Sequence, residues 1–243
     1  MQKPAKNWYA DWFDTSYYHT LYQDRNFKEA SLFMDNLTRY LELPENARIL
    51  DLACGRGRHS VYLNKLGFNV VGVDLSVNNI EFAKKFENDS LRFVRHDMAK
   101  TYPEKFDAIL NLFTSFGYFD KDEDNLNTIK AIKNALKKNG IGVIDFLNVN
   151  QVKKNLVPEE TKNVGNILFH IKRFVEDEYI FKQIEFEHES ESFCFTEKVK
   201  LLNFNDFKVY FKNADVKLLN TFGDYKLNPF NEERSERLIL LFK

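Results

Sequence analysis

Residues 49–60, ILDLACGRGRHS, place an acid, two glycines, two arginines and a histidine directly behind an apolar run. Gly55 and Gly57 have no Cβ, so a chain turning there lets a ligand approach the backbone closely. If a strand precedes the turn and a helix follows it, the unpaired N–H groups of the helix start point into the same space. Gly55, Gly57 and Ser60 approximate the G-x-G-x-x-G spacing of dinucleotide sites, with serine in the third place, a match that carries little alone. Asp74 closes the next apolar run, FNVVGVD, and an acid at a strand end can accept hydrogen bonds from both hydroxyls of a ribose. Asp97 closes a third run, LRFVRHD.

The elements that must position these groups follow from periodicity. Apolar residues at 27, 30, 33, 34, 37 and 41 recur at steps of three and four, which predicts an amphipathic helix ending before Pro44. Five short apolar runs follow, at 47–53, 68–74, 91–97, 106–113 and 140–148, with helical patterns at 59–66, 76–86 and 122–138. Strands alternating with helices imply a parallel sheet with right-handed crossovers. After Asn150 the pattern becomes strand-like: 167–201 reads as three strands turning at EDE and ESES, with Phe193, Phe195, Val199 and Leu201 on one face. A helix over 205–213 and two closing strands complete the chain.

The 243 residues suffice for one α/β core plus a modest insertion. Thirty-five basic against 36 acidic residues give a net charge of −1, which offers nucleic acid or acidic membranes no general attraction. Cys54 and Cys194 are far apart, and no Cys/His cluster has metal-ligand spacing, so neither a disulfide framework nor a metal site is expected. Cys54 sits inside the turn with no base beside it in sequence, so a nucleophilic role is not expected either. The first residues lack a signal-type apolar core and no run approaches a membrane span, so a cytoplasmic protein is expected.

LDLACGRGRHS followed by GVDLS resembles the first two motifs of the class I S-adenosylmethionine-dependent methyltransferases. RHDM and FDAILNLFTSFGYF resemble the next two, in order, so the resemblance runs from residue 49 to residue 148. Ala53 stands where many members have the first glycine. The resemblance implies an α/β, Rossmann-like sheet of seven strands with helices on both faces, and S-adenosylmethionine as cofactor. Carried over position by position, it implies a cofactor site of Asp51, Ala53, Cys54, Gly55, Gly57, His59, Asp74, Leu75, Ser76, His96, Asp97, Met98, Asn111, Leu112 and Phe113. Asp97 would accept from the adenine amine, with Leu75 and Met98 against the ring. The charge of Asp51 fits this ligand: it suits a cationic methionyl group and repels a dianionic pyrophosphate.

Four segments result: an aromatic helical lid at 1–46, the cofactor core at 47–150, an antiparallel β insertion capping the acceptor at 151–202, and completion of the core at 203–243. The lid, NWYADWFDTSYYHTLYQDR, offers Tyr17, Tyr18, Tyr22 and Arg25 to the methyl acceptor; Ser115 and Tyr118 are candidates from the fourth strand's loop. Aromatic faces suit a sulfonium through cation–π attraction. The fourth strand reads NLFTS, without the N/D-P-P-Y/F signature of amino-methylating nucleic-acid enzymes or a Pro-Cys pair. The expected function is methyl transfer to an O, N or C nucleophile of a small molecule. The alternatives are an RNA or protein methyltransferase recruited by a partner and a non-catalytic cofactor-binding module.

Overall fold

The structure, a computed structural model, describes residues 8–23 and 27–243. Seven strands form the main sheet: β1 (Arg48–Leu52), β2 (Asn69–Asp74), β3 (Leu91–Arg95), β4 (Phe106–Asn111), β5 (Leu136–Leu147), and, near the C-terminus, β10 (Leu218–Phe222) and β11 (Arg237–Phe242). Their order is β10-β11-β5-β4-β1-β2-β3, parallel from β3 to β5, with β11 antiparallel to β5. The chain steps outward from β1 in one direction through β2 and β3, then returns to its other side with β4. That reversal leaves a crevice at the carboxyl ends of β1 and β4, where open α/β sheets bind ligands.

Helices cover both faces. On one lie α3 (Phe27–Leu41), α4 (Arg58–Lys65) and α5 (Val77–Ala83), whose apolar stripes meet Ile49, Val70, Ala108 and Leu110 of the sheet. On the other lie α6 (Asp122–Ala135) and α8 (Phe204–Ala214), against Leu50, Val71, Ile109 and Ile144. Strands buried on both faces explain the near-continuous apolar runs in the sequence. Asn203 starts α8 with a reciprocal capping box to Asp206. Among the described residues, no helix is long and apolar enough to cross a membrane.

The fourth helix of the sequence pattern ends earlier than its apolar spacing predicts. The Lys105 ammonium accepts the role of cap by donating to the carbonyls of Asn134 and Leu136, and Leu136 already pairs with Phe106 in the sheet. Residues 136–138 therefore open β5 instead of closing α6.

After the short helix α7 (Val149–Lys154), the insertion is a sheet of four antiparallel strands, one more than the alternation predicts: β6 (Glu159–Val164), β7 (Ile167–Glu176), β8 (Tyr179–His188) and β9 (Glu191–Lys200). β6 escapes notice because its inner-face residues include Glu160 and Lys162, which are satisfied by the Arg173 guanidinium at 2.7 Å and the Leu21 carbonyl at 3.2 Å. The turns at EDE and ESES have two successive left-handed residues each, Asp177 and Glu178, then Glu189 and Ser190, as tight hairpins require.

The N-terminal helices α1 (Trp8–Trp12) and α2 (Ser16–Leu21) pack directly on this sheet. Trp8, Trp12 and Leu21 share one buried cluster with Phe169, Ile171, Ile184 and Phe186. Lid and insertion thus form one cap. Asp14 fastens its edge to the body, accepting from Ser76 Oγ, from the Asn78 backbone N–H and from Asn78 Nδ2 at the start of α5.

Candidate active site

One cavity of about 800 Å³ opens at the crevice between β1 and β4 and runs under the cap. Asp51, Ala53, Cys54, Gly55 and Asp74 form its body-side floor, Leu112, Phe113, Thr114, Ser115 and Tyr118 one wall, and Phe13, Tyr18, Tyr22, Glu197 and Val199 the cap side. Its volume lies in the upper part of the range for small-molecule and cofactor sites.

The glycine turn is wound by three left-handed residues, Ala53, Gly55 and Gly57, at φ 59, 56 and 81°. They do different work. A Cβ on Gly55 would meet nothing within 4 Å, so Gly55 borders open space, as a ligand cradle requires. A Cβ on Gly57 would fall 2.5 Å from the Phe93 ring; Gly57 is needed for packing α4 against the sheet and is not part of the cavity wall.

Asp74 binds the turn to the end of β2: its Oδ2 accepts from the Gly55 N–H and its Oδ1 from the Ser76 N–H, both at 2.9 Å. Burial raises its pKa against these hydrogen bonds. Asp51 is 2% exposed and accepts from Ser60 Oγ on α4. Burial, reinforced by the charge of Asp74, pushes its pKa up to about 7, against the lowering effects of Ser60 and Arg58. A buried acid poised near neutrality and open to a cavity is suited to a cationic ligand, which favours its ionised form. Burial likewise raises the Cys54 thiol, so it is held protonated.

His59 stacks on Phe113 with ring centroids 4.4 Å apart and accepts from the Arg58 guanidinium at its Nε2. Phe113 and Thr114 are left-handed, and the ion pair of Arg237 with the buried Asp145 holds them there. Asp145 accepts from the Phe113 N–H at 2.8 Å and from Arg237 Nε at 2.8 Å, while Arg237 Nη2 donates to Thr114 Oγ1.

Several residues named from the sequence lie outside this wall. Ser76 caps α5 by accepting from the Asn79 N–H, and its hydroxyl donates to Asp14, so it docks the cap. Asp97 shapes its own turn by accepting from the Ala99 N–H; His96 bonds the Lys100 carbonyl; Met98 packs against the core beside Asn111. Asn111 is fully buried, donating to the Leu52 carbonyl, and Leu75 is 37% exposed. Tyr17 points into the insertion, against Phe186 and Phe193, with its hydroxyl on His188 Nδ1. Arg25 lies outside the described residues.

The wall also holds residues that the sequence did not single out. Glu197 and Val199 come from β9, Phe13 and His19 from the cap, and Arg56, Arg58 and Phe82 from the α4–α5 side, where the Arg56 guanidinium lies 4.6 Å from the Phe82 ring. Period-2 alternation already placed Val199 on the inner face, and Glu197 shares its parity.

A family model described as a methyltransferase domain matches residues 49–140. YqeM of Bacillus subtilis (strain 168) is 37% identical over 117 residues, 46% of this chain and 47% of YqeM. A glycine/sarcosine N-methyltransferase of Aphanothece halophytica is 37% identical over 109 residues, 42% of this chain and 40% of that protein. The chain therefore spans less than half the length of these curated relatives. A solved S-adenosylmethionine-dependent methyltransferase from Clostridium acetobutylicum ATCC 824 has the same fold, with a TM-score of 0.79 at 24% identity over 93% of this chain and 95% of that one. The architecture is the Rossmann-like fold of that methyltransferase. Residues 49–140 thus carry a methyltransferase-domain match, and the chain as a whole shares the fold of a solved S-adenosylmethionine-dependent methyltransferase.

Proposed function

We propose that this chain transfers a methyl group from S-adenosylmethionine to a small-molecule nucleophile held between the glycine turn and the cap. The observation that carries this reading is the continuity of one cavity from Asp51, Gly55 and Asp74 to Tyr18, Tyr118 and Glu197. Bound there, S-adenosylmethionine supplies a sulfonium methyl open to in-line displacement. In this reading Asp51 attracts the cationic methionyl end, Gly55 lets that end lie against the turn, and Asp74 accepts from ribose hydroxyls. The rings of Phe13, Tyr18 and Tyr118 line the neighbouring space and favour positive charge. The cap excludes water and fixes the approach of the acceptor, the two contributions on which methyl transfer chiefly depends. A small-molecule acceptor also agrees with the relative from Aphanothece halophytica, whose name gives glycine and sarcosine as its substrates.

Calorimetry with S-adenosylmethionine, S-adenosylhomocysteine and NAD tests the cofactor: both sulfur nucleosides should bind and NAD should not. Incubating the full chain and methyl-labelled cofactor with a fractionated extract tests the acceptor class by mass spectrometry. Label confined to RNA or protein, or tight NAD binding without S-adenosylmethionine binding, overturns the proposal.

A further inference from the structure

We propose that Glu197 is the acceptor-binding carboxylate and that the nucleophile it holds is an amine nitrogen; this rests on the methyl-transfer reading above. The alternation of β9 puts Glu197 on the inner face of the insertion sheet, between Phe195 and Val199, where an acid is costly unless its charge is used. Two donors from the N-terminal helices fix it. Trp12 Nε1 donates to Oε1 at 2.8 Å and the Tyr22 hydroxyl donates to the same oxygen at 2.7 Å. Oε2 takes no hydrogen bond from any described residue.

The nearest cation among the described residues reaches the carboxylate only through the Tyr22 hydroxyl. Lys182 lies opposite Glu197 in the β8–β9 register, but its ammonium donates to the Tyr22 hydroxyl and stands 4.4 Å from the centre of that ring. Among the described residues Glu197 has no ion-pair partner. A carboxylate held by two neutral donors, lining a cavity with Phe13, Tyr18 and Tyr118, is a receptor for a cation.

The hydroxyls nearby argue against an alcohol acceptor. Tyr118 donates to the Thr114 carbonyl at 2.6 Å and Ser115 to the Leu112 carbonyl at 2.9 Å, so both are committed to the backbone. An ammonium instead docks on Oε2 and passes one proton to it. The freed nitrogen lone pair forms the N–C bond as the C–S bond breaks, with that bonding pair left on sulfur. The methylated ammonium departs, and the proton on Glu197 goes to water.

The test uses the full chain loaded with S-adenosylhomocysteine and two probe pairs, benzylammonium with benzyl alcohol and isopropylammonium with isopropanol, titrated by ligand-observed NMR. In at least one pair the ammonium should bind at least tenfold tighter. Glu197→Gln keeps an oxygen for Trp12 and Tyr22 but removes the charge, and should cut that preference below threefold while S-adenosylhomocysteine affinity stays within threefold. No ammonium preference in either pair, or a preference that survives in E197Q, overturns the assignment. If E197Q does not fold, the wild-type comparison decides alone. Failure of the wild type to bind S-adenosylhomocysteine sinks the methyl-transfer reading instead, and calorimetry reads that separately.

Discussion

The body and the cap present the cavity with walls of different kinds. On the body side the surface is backbone and acid: a turn of left-handed residues at Ala53 and Gly55, with Asp51 and Asp74 at strand ends. These groups are held by hydrogen bonds to one another and to β2 and α4: Cys54 N–H to the Val73 carbonyl, Gly55 N–H to Asp74 and Ser60 Oγ to Asp51. On the cap side the surface is side chain, rings and one carboxylate carried by short helices laid on a four-stranded sheet. The first wall suits a ligand that never changes; the second can be rebuilt residue by residue for a different acceptor without disturbing the first. That division is open to test.

The largest effect is expected from Trp12→Ala. Trp12 is 1% exposed, lies 4.5 Å from the Phe195 ring and donates to Glu197, so it joins lid, insertion and cavity in one residue. Losing a packed tryptophan costs about 3–5 kcal/mol. If the cap is its own cooperative unit, that cost falls there, abolishing methyl transfer and speeding amide exchange in β7–β9 while β1 and β4 stay protected. Equal loss of protection in β1 and β4 would show that body and cap unfold together. The same packing bears on removal of the insertion, residues 164–201. Since the lid rests on that sheet, deletion should weaken cofactor binding as well as transfer.

Next comes a pair within the body that separates folding from binding. Gly57→Ala puts a methyl 2.5 Å from Phe93 at a left-handed φ of 81°, and overpacking with left-handed strain together cost about 3 kcal/mol. The melting temperature should fall by roughly 6–12 °C. Gly55→Ala meets no atom within 4 Å and carries only the strain of about 1–2 kcal/mol, but its methyl enters the space that a ligand would use. Its cofactor affinity should fall by more, measured calorimetrically, than its stability. The reverse pattern would place the ligand away from Gly55.

A smaller, graded effect tests Asp51. Its folded pKa, about 7, lies above the unfolded value, so the folded state holds the proton more tightly. The ligand-free protein should therefore lose stability as pH rises from about 4 through 7 and level off above. A cationic ligand works the other way, because it needs the ionised acid: S-adenosylmethionine affinity should climb by up to about tenfold per pH unit below 7 and flatten above. Asp51→Asn should remove the slope in affinity and reduce the slope in stability to the part that Asp74 contributes. A wild-type affinity that does not change between pH 6 and 8 would take Asp51 out of the methionyl site.

How far the sequence reaches follows the same division. The main sheet was legible because strands buried on both faces leave apolar runs, and because glycine and acid spacing marks their carboxyl ends. The cavity floor, Asp51 to Gly55 with Asp74, could be read from local sequence alone. Gly57 could not be assigned correctly that way, since its reason is the Phe93 ring, some 36 positions away in the chain. Ser76 was likewise claimed by a contact with Asp14, which no local pattern announces. In the cap, β6 hid behind charges satisfied by tertiary partners, and Glu197 read as one more polar residue in a strand. Its meaning depends on Trp12 and Tyr22, 185 and 175 residues away.

The smallest effect is expected where this chain departs from the commoner glycine, at Ala53. Its φ of 59° is left-handed, a conformation that costs a residue with a Cβ about 1–2 kcal/mol. Ala53→Gly removes that strain but adds roughly 0.5–1 kcal/mol of chain entropy to be lost on folding. The difference leaves the variant equal to the parent or up to about 1.5 kcal/mol more stable, a rise in melting temperature of at most about 6 °C. Cofactor affinity should stay within about threefold, because the backbone that forms the cradle keeps its course. A melting temperature lowered by several degrees would mean that the Ala53 methyl packs as part of the body. The body wall would then owe its shape to side chains as the cap does, and the contrast between the two walls would narrow.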